Sequence, residues 1–336
     1  MITLEHDTLV FRFPEVHEKA ACTLHFQRTL RLPDNGRTYP LPAGLGAFPL
    51  RHIDDFQRVP DVMRKRGGVV MPMWQAEAMW IRFASRSDYP FAVKIATGKI
   101  NAVSGENWRN GLHRNPQDYA VVPNQPWLDG FAVAKGTIRQ FVAAPLGEGI
   151  TAEEQLTGAP EYGGVQIVVH PMKAEAYERL VARQASARFR SLSDSPMPCA
   201  APAMGLAPGG LMKQEIYDDP YDFDVWDLRE SARCFVTLLN AESWFEFTGE
   251  AIPTAPITAA AYKSAGIPWF DYYARDQKAL GGSSRLAGLK TIADAASFGL
   301  TGKIWKDDPV EVMPPKAIGP GARPARSSNE VRQAEF

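Results

Sequence analysis

The sequence predicts a mainly β (α+β) fold: antiparallel sandwich or barrel-like sheets, with a few short helices in the second half. The first observation is a series of short runs in which apolar and polar residues alternate, the period of half-buried strands. Gly and Pro, 27 of each in 336 residues, close most of these runs and mark turns. Stretches with helical periodicity are few, which favours packed sheets over helix bundles.

Strands are predicted from local alternation, taken in chain order. Leu24, Phe26, Leu30 and Leu32 fall on alternating positions of residues 23–32, so one face of that segment is expected to be buried. Similar runs predict strands at 69–73, 78–83, 91–95, 99–103, 119–122, 137–143, 165–170 and 211–217. The runs 91–95 and 99–103 flank a Thr-Gly turn and form the clearest predicted hairpin.

Helices are expected to be few and short. Residues 174–192 show moderate amphipathicity, which predicts a solvent-facing helix. Ser243 and Thr258 are expected to cap two further helices, which Gly249 and Gly266 would end.

One large β-rich body is predicted for residues 1–308, followed by a flexible Pro-rich tail at 309–336. The tail lacks the apolar residues that would offset the entropy of ordering. Residues 195–212 carry four prolines and three glycines, which predicts a loop or linker. The Pro-rich loop 193–210 is therefore where a sub-boundary would fall.

Composition argues against nucleic acid and membranes as partners, and the N-terminal residues argue against export. With 37 basic and 38 acidic residues, the chain has no overall field to attract nucleic acid or a membrane surface. Charged residues interrupt residues 1–13, where a signal peptide needs an apolar core. Cys22, Cys199 and Cys234 form no CxxC pair, so we expect inert thiols in a cytoplasmic protein.

The polar, tryptophan-bearing stretch at 108–140 is the candidate site. Indole faces with amide, carboxylate and guanidinium neighbours are typical of grooves for a polar ligand or a protein segment. The predicted ligand-binding residues are Trp108, Trp127, Asp129, Arg139 and Gln140. The alternative is structural: Trp127 would plug the end of a sheet while Asp129-Gly130 closes a turn.

No metal site and no cofactor are expected. The six histidines never occur as HxH, HxxxH or HExxH, the spacings that bring two imidazoles to one metal. The acidic run 215–230 could supply oxygen ligands for calcium, but it lacks the spacing of an EF-hand loop. We expect a solvated turn held by Asx hydrogen bonds there.

Catalytic signatures are also missing from the sequence. There is no GxSxG motif, and no cysteine lies in a recognised nucleophile signature. Carboxylates at Asp54, Asp55 and Glu77, or in the run 218–227, could act as a hydrolytic pair only if the fold brought two of them within about 5 to 10 Å.

Six sequence blocks carry a family resemblance: QRTLRLP at 27–33, RTYPLP at 37–42, MPMWQAEA at 71–78, QPWLDG at 125–130, IRQFV at 138–142 and PWFDYY at 268–273. As a set they resemble a family of uncharacterised proteins from bacteria and some fungi, over about residues 23–292. The resemblance implies a soluble protein built as one unit. It supplies no activity, cofactor or catalytic residue.

Three functions follow from the sequence as hypotheses. The first is a non-catalytic binding or assembly protein that uses the polar aromatic site around Trp127. The alternatives are a carbohydrate-active or other hydrolase with paired carboxylates, and a self-assembling structural subunit. The expected partner is a protein or a small polar ligand, with a homo-oligomer as the outcome of self-assembly.

Overall fold

Strands interrupted by short helices make up the fold. The structure, a computed structural model, describes residues 1–184, 204–272, 277–297 and 309–318. The strands are β1 Ile2–Glu5, β2 Thr8–Arg12, β3 Ala21–Thr29, β4 Thr38–Tyr39, β5 Leu41–Pro42, β6 Gly44–Ala47, β7 Arg51–His52, β8 Val69–Pro72, β9 Ala78–Ser85, β10 Phe91–Thr97, β11 Ile100–Asn101, β12 Ala120–Val122, β13 Trp127–Leu128, β14 Gly130–Ala134, β15 Thr137–Pro145, β16 Val165–Pro171, β17 Met204–Lys213, β18 Ala232–Leu239, β19 Trp269–Tyr272 and β20 Lys316–Ile318. The helices are α1 Asp61–Arg66, α2 Ala152–Thr157, α3 Ala174–Gln184, α4 Ala241–Thr248, α5 Ala259–Ser264, α6 Ser284–Ala287 and α7 Ile292–Ser297.

The strands join into one large sheet and one small one. Antiparallel pairs link β1 to β2, β2 to β3, β3 to β9, and β9 to both β13 and β15. Further antiparallel pairs link β15 to β17, β16 to β18, and β10 to both β12 and β16. Strands β4 and β8 add in parallel to β17 and β18, and β5, β19 and β20 form the small sheet. The mainly β, antiparallel fold with few short helices is confirmed, with 38% strand against 19% helix.

The predicted hairpin is present, and its turn lies one residue later than expected. β10 and β11 pair antiparallel with Thr97 opposite Ile100, which leaves Gly98 and Lys99 as the turn. Both have positive φ, 53° and 61°, the conformation that two-residue hairpin turns favour. A Cβ at position 98 would also collide with Glu153. Glycine is therefore favoured at this position both by its positive φ and by the lack of space for a side chain.

Part of the predicted loop 195–212 is a buried strand. β17 begins at Met204 and pairs along its length with β15. A Cβ on Gly210 would lie 2.6 Å from the carbonyl oxygen of Pro33, so the glycine admits a close neighbouring chain. Pro208 lies at a register shift in the ladder with β15, where its missing N–H costs little. Residues 185–203 lie outside the described part.

The helices are short, as predicted, but some of them begin at other residues or lie in other parts of the chain than expected. Thr258 caps α5 by accepting a hydrogen bond from the Ala261 N–H, as expected. Asn240 rather than Ser243 caps α4, and Gly249 ends that helix at φ 72°. Two helices, α1 and α2, lie in the first half of the chain, where none was expected.

The described part of the C-terminal segment contacts the body of the protein at several points: Val310 packs against the core, Glu311 pairs with Lys263, and β20 adds to the small sheet. β20, which the sequence assigns to a flexible tail, pairs in parallel with β19. Residues 311–317 around it are exposed, so backbone hydrogen bonding rather than side-chain burial holds this strand. The rest of the predicted tail lies outside the described residues.

One continuous apolar cluster forms most of the core. It contains side chains from both sides of residues 193–210, such as Phe26 and Phe131 before them and Val236 and Trp226 after them. None of the helices in the described part of the chain has the length and hydrophobicity needed to cross a bilayer.

Candidate functional site

The five predicted site residues belong to two different places. Trp127 lies on β13, Asp129 lies between β13 and β14, and Arg139 and Gln140 follow on the adjacent strand β15. Trp108 lies in the loop after β11, where it covers the ammonium group of Lys94 rather than any of the other four. The sequence stretch 108–140 therefore does not form a single site.

Trp127 is the centre of an aromatic cluster with Trp80 and Tyr272. Its ring lies 4.7 Å from the ring of Tyr272 and 6.3 Å from that of Trp80, edge to face in both cases. All three side chains are half-buried. Trp80 comes from β9, whose outward positions alternate with buried ones, and Tyr272 comes from β19 of the small sheet. We call these three residues the aromatic cluster.

The cavity beside Trp127 is very small. It measures about 10 Å³ and is lined by Leu41, Gln125, Pro126, Trp127, Lys213, Gln214, Glu215 and Tyr272. That is room for about one water molecule, whereas small-ligand pockets measure about 300 to 1,000 Å³. The space beside the cluster is therefore too small to enclose a small-molecule ligand.

Asp129 lies beneath Trp127 and is 1% exposed. Neither carboxyl oxygen has a hydrogen bond of good geometry within the described residues. Burial raises the pKa of Asp129 well above its ordinary value, and the neighbouring indole N–H of Trp127 opposes the shift only in part. A carboxyl held in this way favours its neutral form.

Gln140 and Arg139 hold other segments of the chain. The Gln140 side chain is fully buried; its Oε1 accepts from the Leu32 N–H at 2.9 Å and its Nε2 donates to the Leu30 carbonyl at 3.0 Å. Arg139 donates to Asp34 Oδ1 at 3.0 Å. Gln140 has no exposed side-chain group and links β15 to the segment 30–32, so its contacts in the structure are those of a structural residue; a role in ligand binding stays a prediction.

Trp108 covers a buried ion pair. Lys94 Nζ donates to Asp118 Oδ2 at 2.6 Å and to the carbonyl oxygens of Arg109 and Gly111, and it lies 4.9 Å from the Trp108 ring centre. Burial lowers the pKa of Lys94, and the bond to Asp118 opposes this shift. Because all three ammonium hydrogens have acceptors, Lys94 fixes the loop 109–118.

The acidic run 215–230 is more buried than expected. Asp219 is 3% exposed and accepts from Tyr119 Oη at 2.6 Å and Trp226 Nε1 at 2.8 Å. Asp227 accepts from two following backbone N–H groups, as in the expected Asx turn. Within the residues described here, no group of three or more metal-binding side chains is present.

Asp54, Asp55 and Glu77, the carboxylates that the sequence offers for hydrolysis, lie in different surroundings. Asp54 and Asp55 are exposed on a short 3-10 helix. Glu77 is 3% exposed and accepts from Arg28 Nε at 2.8 Å. Its pKa is raised by burial, against the opposing influence of Arg28.

Sequence reasoning missed Trp80, Tyr272 and Arg28. The alternation of residues 78–83 placed Trp80 on the outer face of a strand, and this signal could have identified it. Nothing local connects Tyr272 or Arg28 with a site, because both are placed by contacts between distant segments.

No protein-family model, curated protein or solved structure matches this chain. The resemblance to a bacterial and fungal family stays a prediction.

Proposed function

We propose that this chain is a non-catalytic binding protein that engages a protein partner through the aromatic cluster of Trp80, Trp127 and Tyr272. The observation that carries the proposal is the meeting of three partly buried aromatic rings from two sheets at one place, each with some surface left open to solvent. Aromatic side chains supply large contact areas at low entropic cost and are enriched where proteins bind each other.

The size of the adjacent cavity favours a protein over a small polar ligand. A space of about 10 Å³ cannot enclose a drug-sized molecule. Charged groups beside the cluster would contribute to specificity: Lys213 is 54% exposed and lies 3.6 Å from Asp271. A polar rim around aromatic anchors is the usual anatomy of an interface.

The cytoplasmic location predicted from the sequence belongs to this proposal. Cys22 and Cys234 are buried free thiols, which supports a reducing compartment. The partner would then be a protein of the same compartment.

Replacement of Tyr272 or Trp127 by Ala tests the proposal. Proteins captured from a lysate of the source cells by the wild-type chain would be quantified by mass spectrometry and compared with those captured by each variant. A specific partner should be lost, by about tenfold or more, from both variants. Phe245→Ala is the matched control, because Phe245 is a 61% exposed aromatic residue outside the cluster.

Folding must be monitored in the same experiment. Each variant has to unfold cooperatively for its binding result to count. Equal capture by Tyr272→Ala, Phe245→Ala and wild type would disprove the proposal. If the wild-type chain bound an arrayed glycan saturably and Trp127→Ala did not, the ligand of the aromatic cluster would be a carbohydrate and not a protein.

Self-assembly is a second candidate, favoured by β20. This exposed strand adds to the edge of β19, and edge strands can pair with another copy of the chain. Light scattering on the full chain over a range of concentrations tests it: a constant monomer mass would exclude assembly.

A further inference from the structure

A cleft far larger than the cavity at Trp127 opens above Arg28. It measures about 490 Å³, within the range of small-molecule sites. It is lined by Arg28, Leu45, Ala255, Pro256, Ile257, Thr258 and Ala261. The cleft shares no residue with the aromatic cluster, so it is independent of the proposed function.

Arg28 is held rigidly at this cleft. Its side chain is 8% exposed. Nε donates to Glu77 Oε1 at 2.8 Å and Nη2 donates to the Ala255 carbonyl at 2.6 Å. Glu77 is itself fixed, since its Oε2 accepts from the Trp74 N–H at 3.0 Å. A group positioned in advance loses little entropy when a ligand binds.

The wall of the cleft is fastened to the same framework. The indole N–H of Trp74 donates to the Thr254 carbonyl at 2.5 Å, beside the Ala255 carbonyl that Arg28 binds. Thr258, at the other end of this short segment, caps α5. The segment 254–258 is therefore held at both ends.

Arg28 retains unused hydrogen-bond donors. A guanidinium carries five N–H groups, and the Nη1 amino group has no hydrogen-bond partner within the described residues. Nη1 is not one of the buried side-chain atoms that lack a partner, so it is open to solvent in the cleft and a ligand can reach it. A planar guanidinium is suited to carboxylate or phosphate oxygens.

Charge and wall chemistry narrow the ligand class. Among the described residues that line the cleft, Arg28 is the only charged one, and Glu77 balances its charge. A site with so little net positive charge suits a monoanion better than a phosphate dianion. The remaining walls are aliphatic apart from the hydroxyl of Thr258.

We propose that this cleft binds a small organic monocarboxylate. Its carboxylate accepts hydrogen bonds from Nη1 of Arg28, and its apolar body packs against Leu45, Pro256 and Ile257. Such a ligand would both accept hydrogen bonds from Nη1 of Arg28 and cover the aliphatic side chains that line the cleft.

Octanoate, octanamide and inorganic phosphate are suitable probes for titration calorimetry on the full chain. We expect saturable binding of octanoate, at least tenfold weaker binding of octanamide, and no detectable binding of phosphate. The neutral amide matches octanoate in shape, so the difference reports the charge-assisted bond to Arg28. Equal affinity for octanoate and octanamide, tighter binding of phosphate, or no saturable binding of octanoate would overturn the proposal.

A variant should leave the Arg28–Glu77 pair intact, because breaking a buried ion pair endangers folding. Ala261→Glu does so: Ala261 is exposed on α5 and lines the cleft. The new carboxylate would occupy Nη1 or repel the probe, so octanoate affinity should fall at least tenfold. Ala260→Glu is the matched control, with the same charge change at the adjacent exposed residue outside this cleft. Equal affinities of the two variants would also overturn the proposal.

Discussion

Lys94 and Asp118 form an ion pair inside the fold: Nζ lies 2.6 Å from Oδ2, and the two side chains are 1% and 3% exposed. Asp118 also accepts from the His113 N–H at 2.8 Å. The pair thus joins the central strand β10 to the loop that carries Trp108. Loss of Lys94 would leave the Asp118 carboxylate buried without its ammonium partner, with the His113 ring nitrogen at 2.9 Å from Oδ2 as its neighbour.

Replacing Lys94 by Met is predicted to destabilise the protein by about 3 to 5 kcal/mol, the usual cost of an uncompensated buried charge. Urea denaturation measures the change. Lys135→Met, at an exposed position, should change stability by less than about 0.5 kcal/mol. The double variant Lys94→Met/Asp118→Asn should be more stable than the sum of the single changes predicts. Strict additivity would contradict the coupling.

Asp129→Asn is predicted to stabilise the protein increasingly as the pH rises. Folding raises the pKa of Asp129 through burial, so the stability that this carboxyl contributes is complete below the pKa of the unfolded chain, about 3.9. It is lost as the pH rises towards the pKa in the folded state.

In that interval the wild type should lose about 1.4 kcal/mol per pH unit relative to the Asn variant. Denaturation curves of both proteins at several pH values measure the difference, in which the titration of all other groups cancels. A difference that does not change with pH would show that Asp129 has the same pKa folded and unfolded.

Gln140→Ala is predicted to cost about 2 kcal/mol or more, because it leaves the Leu32 N–H and the Leu30 carbonyl without the bonds that Gln140 supplies. Thermal or urea unfolding measures this loss. Gln57→Ala, at an exposed position, is the control and should be nearly neutral. If the Gln140→Ala variant lost partner binding but kept wild-type stability, Gln140 would be a binding residue and not a structural one.

Cys22 and Cys234 are predicted to resist alkylation in the native protein. Both are buried, and burial raises the pKa of Cys234 to about 12 and that of Cys22 further. At pH 8.5 the reactive thiolate is scarce and shielded, so the reaction with iodoacetamide should be at least about a hundredfold slower than in denaturant. Peptide mapping after timed quenching gives the rate at each site. Rapid modification of either residue before unfolding would refute the prediction.

Much of the strand content could be predicted from local patterns. Residues 78–83 and 165–170 are short, mainly apolar runs rich in residues that favour strands, and both are strands in the structure. Only the last three residues of β17 fall within the predicted strand 211–217; the part at 204–210 could not be predicted in this way, because its glycines and proline have no intrinsic preference for a strand. Its pairing with β15 supplies the stability that the local sequence lacks.

The candidate site was predicted only in part for a similar reason. Trp127 keeps part of its surface open to solvent, but Gln140 is buried and holds the segment 30–32. A polar residue on a strand gives no local sign of whether it faces a partner or another part of its own chain. Trp108 and Trp127 are near in sequence, yet they contact different residues.

The amino-acid sequence by itself determined the alternation that makes strands, the turns at Asn, Gly and Pro, and the near-neutral charge, because each depends on single residues or near neighbours. The tertiary structure alone decided that Tyr272 and Trp80 meet Trp127, and that Arg28 is held by Glu77 at an open cleft. Such contacts join residues far apart in the chain, and they form only when burial of the common core offsets the entropy of closing the intervening loops.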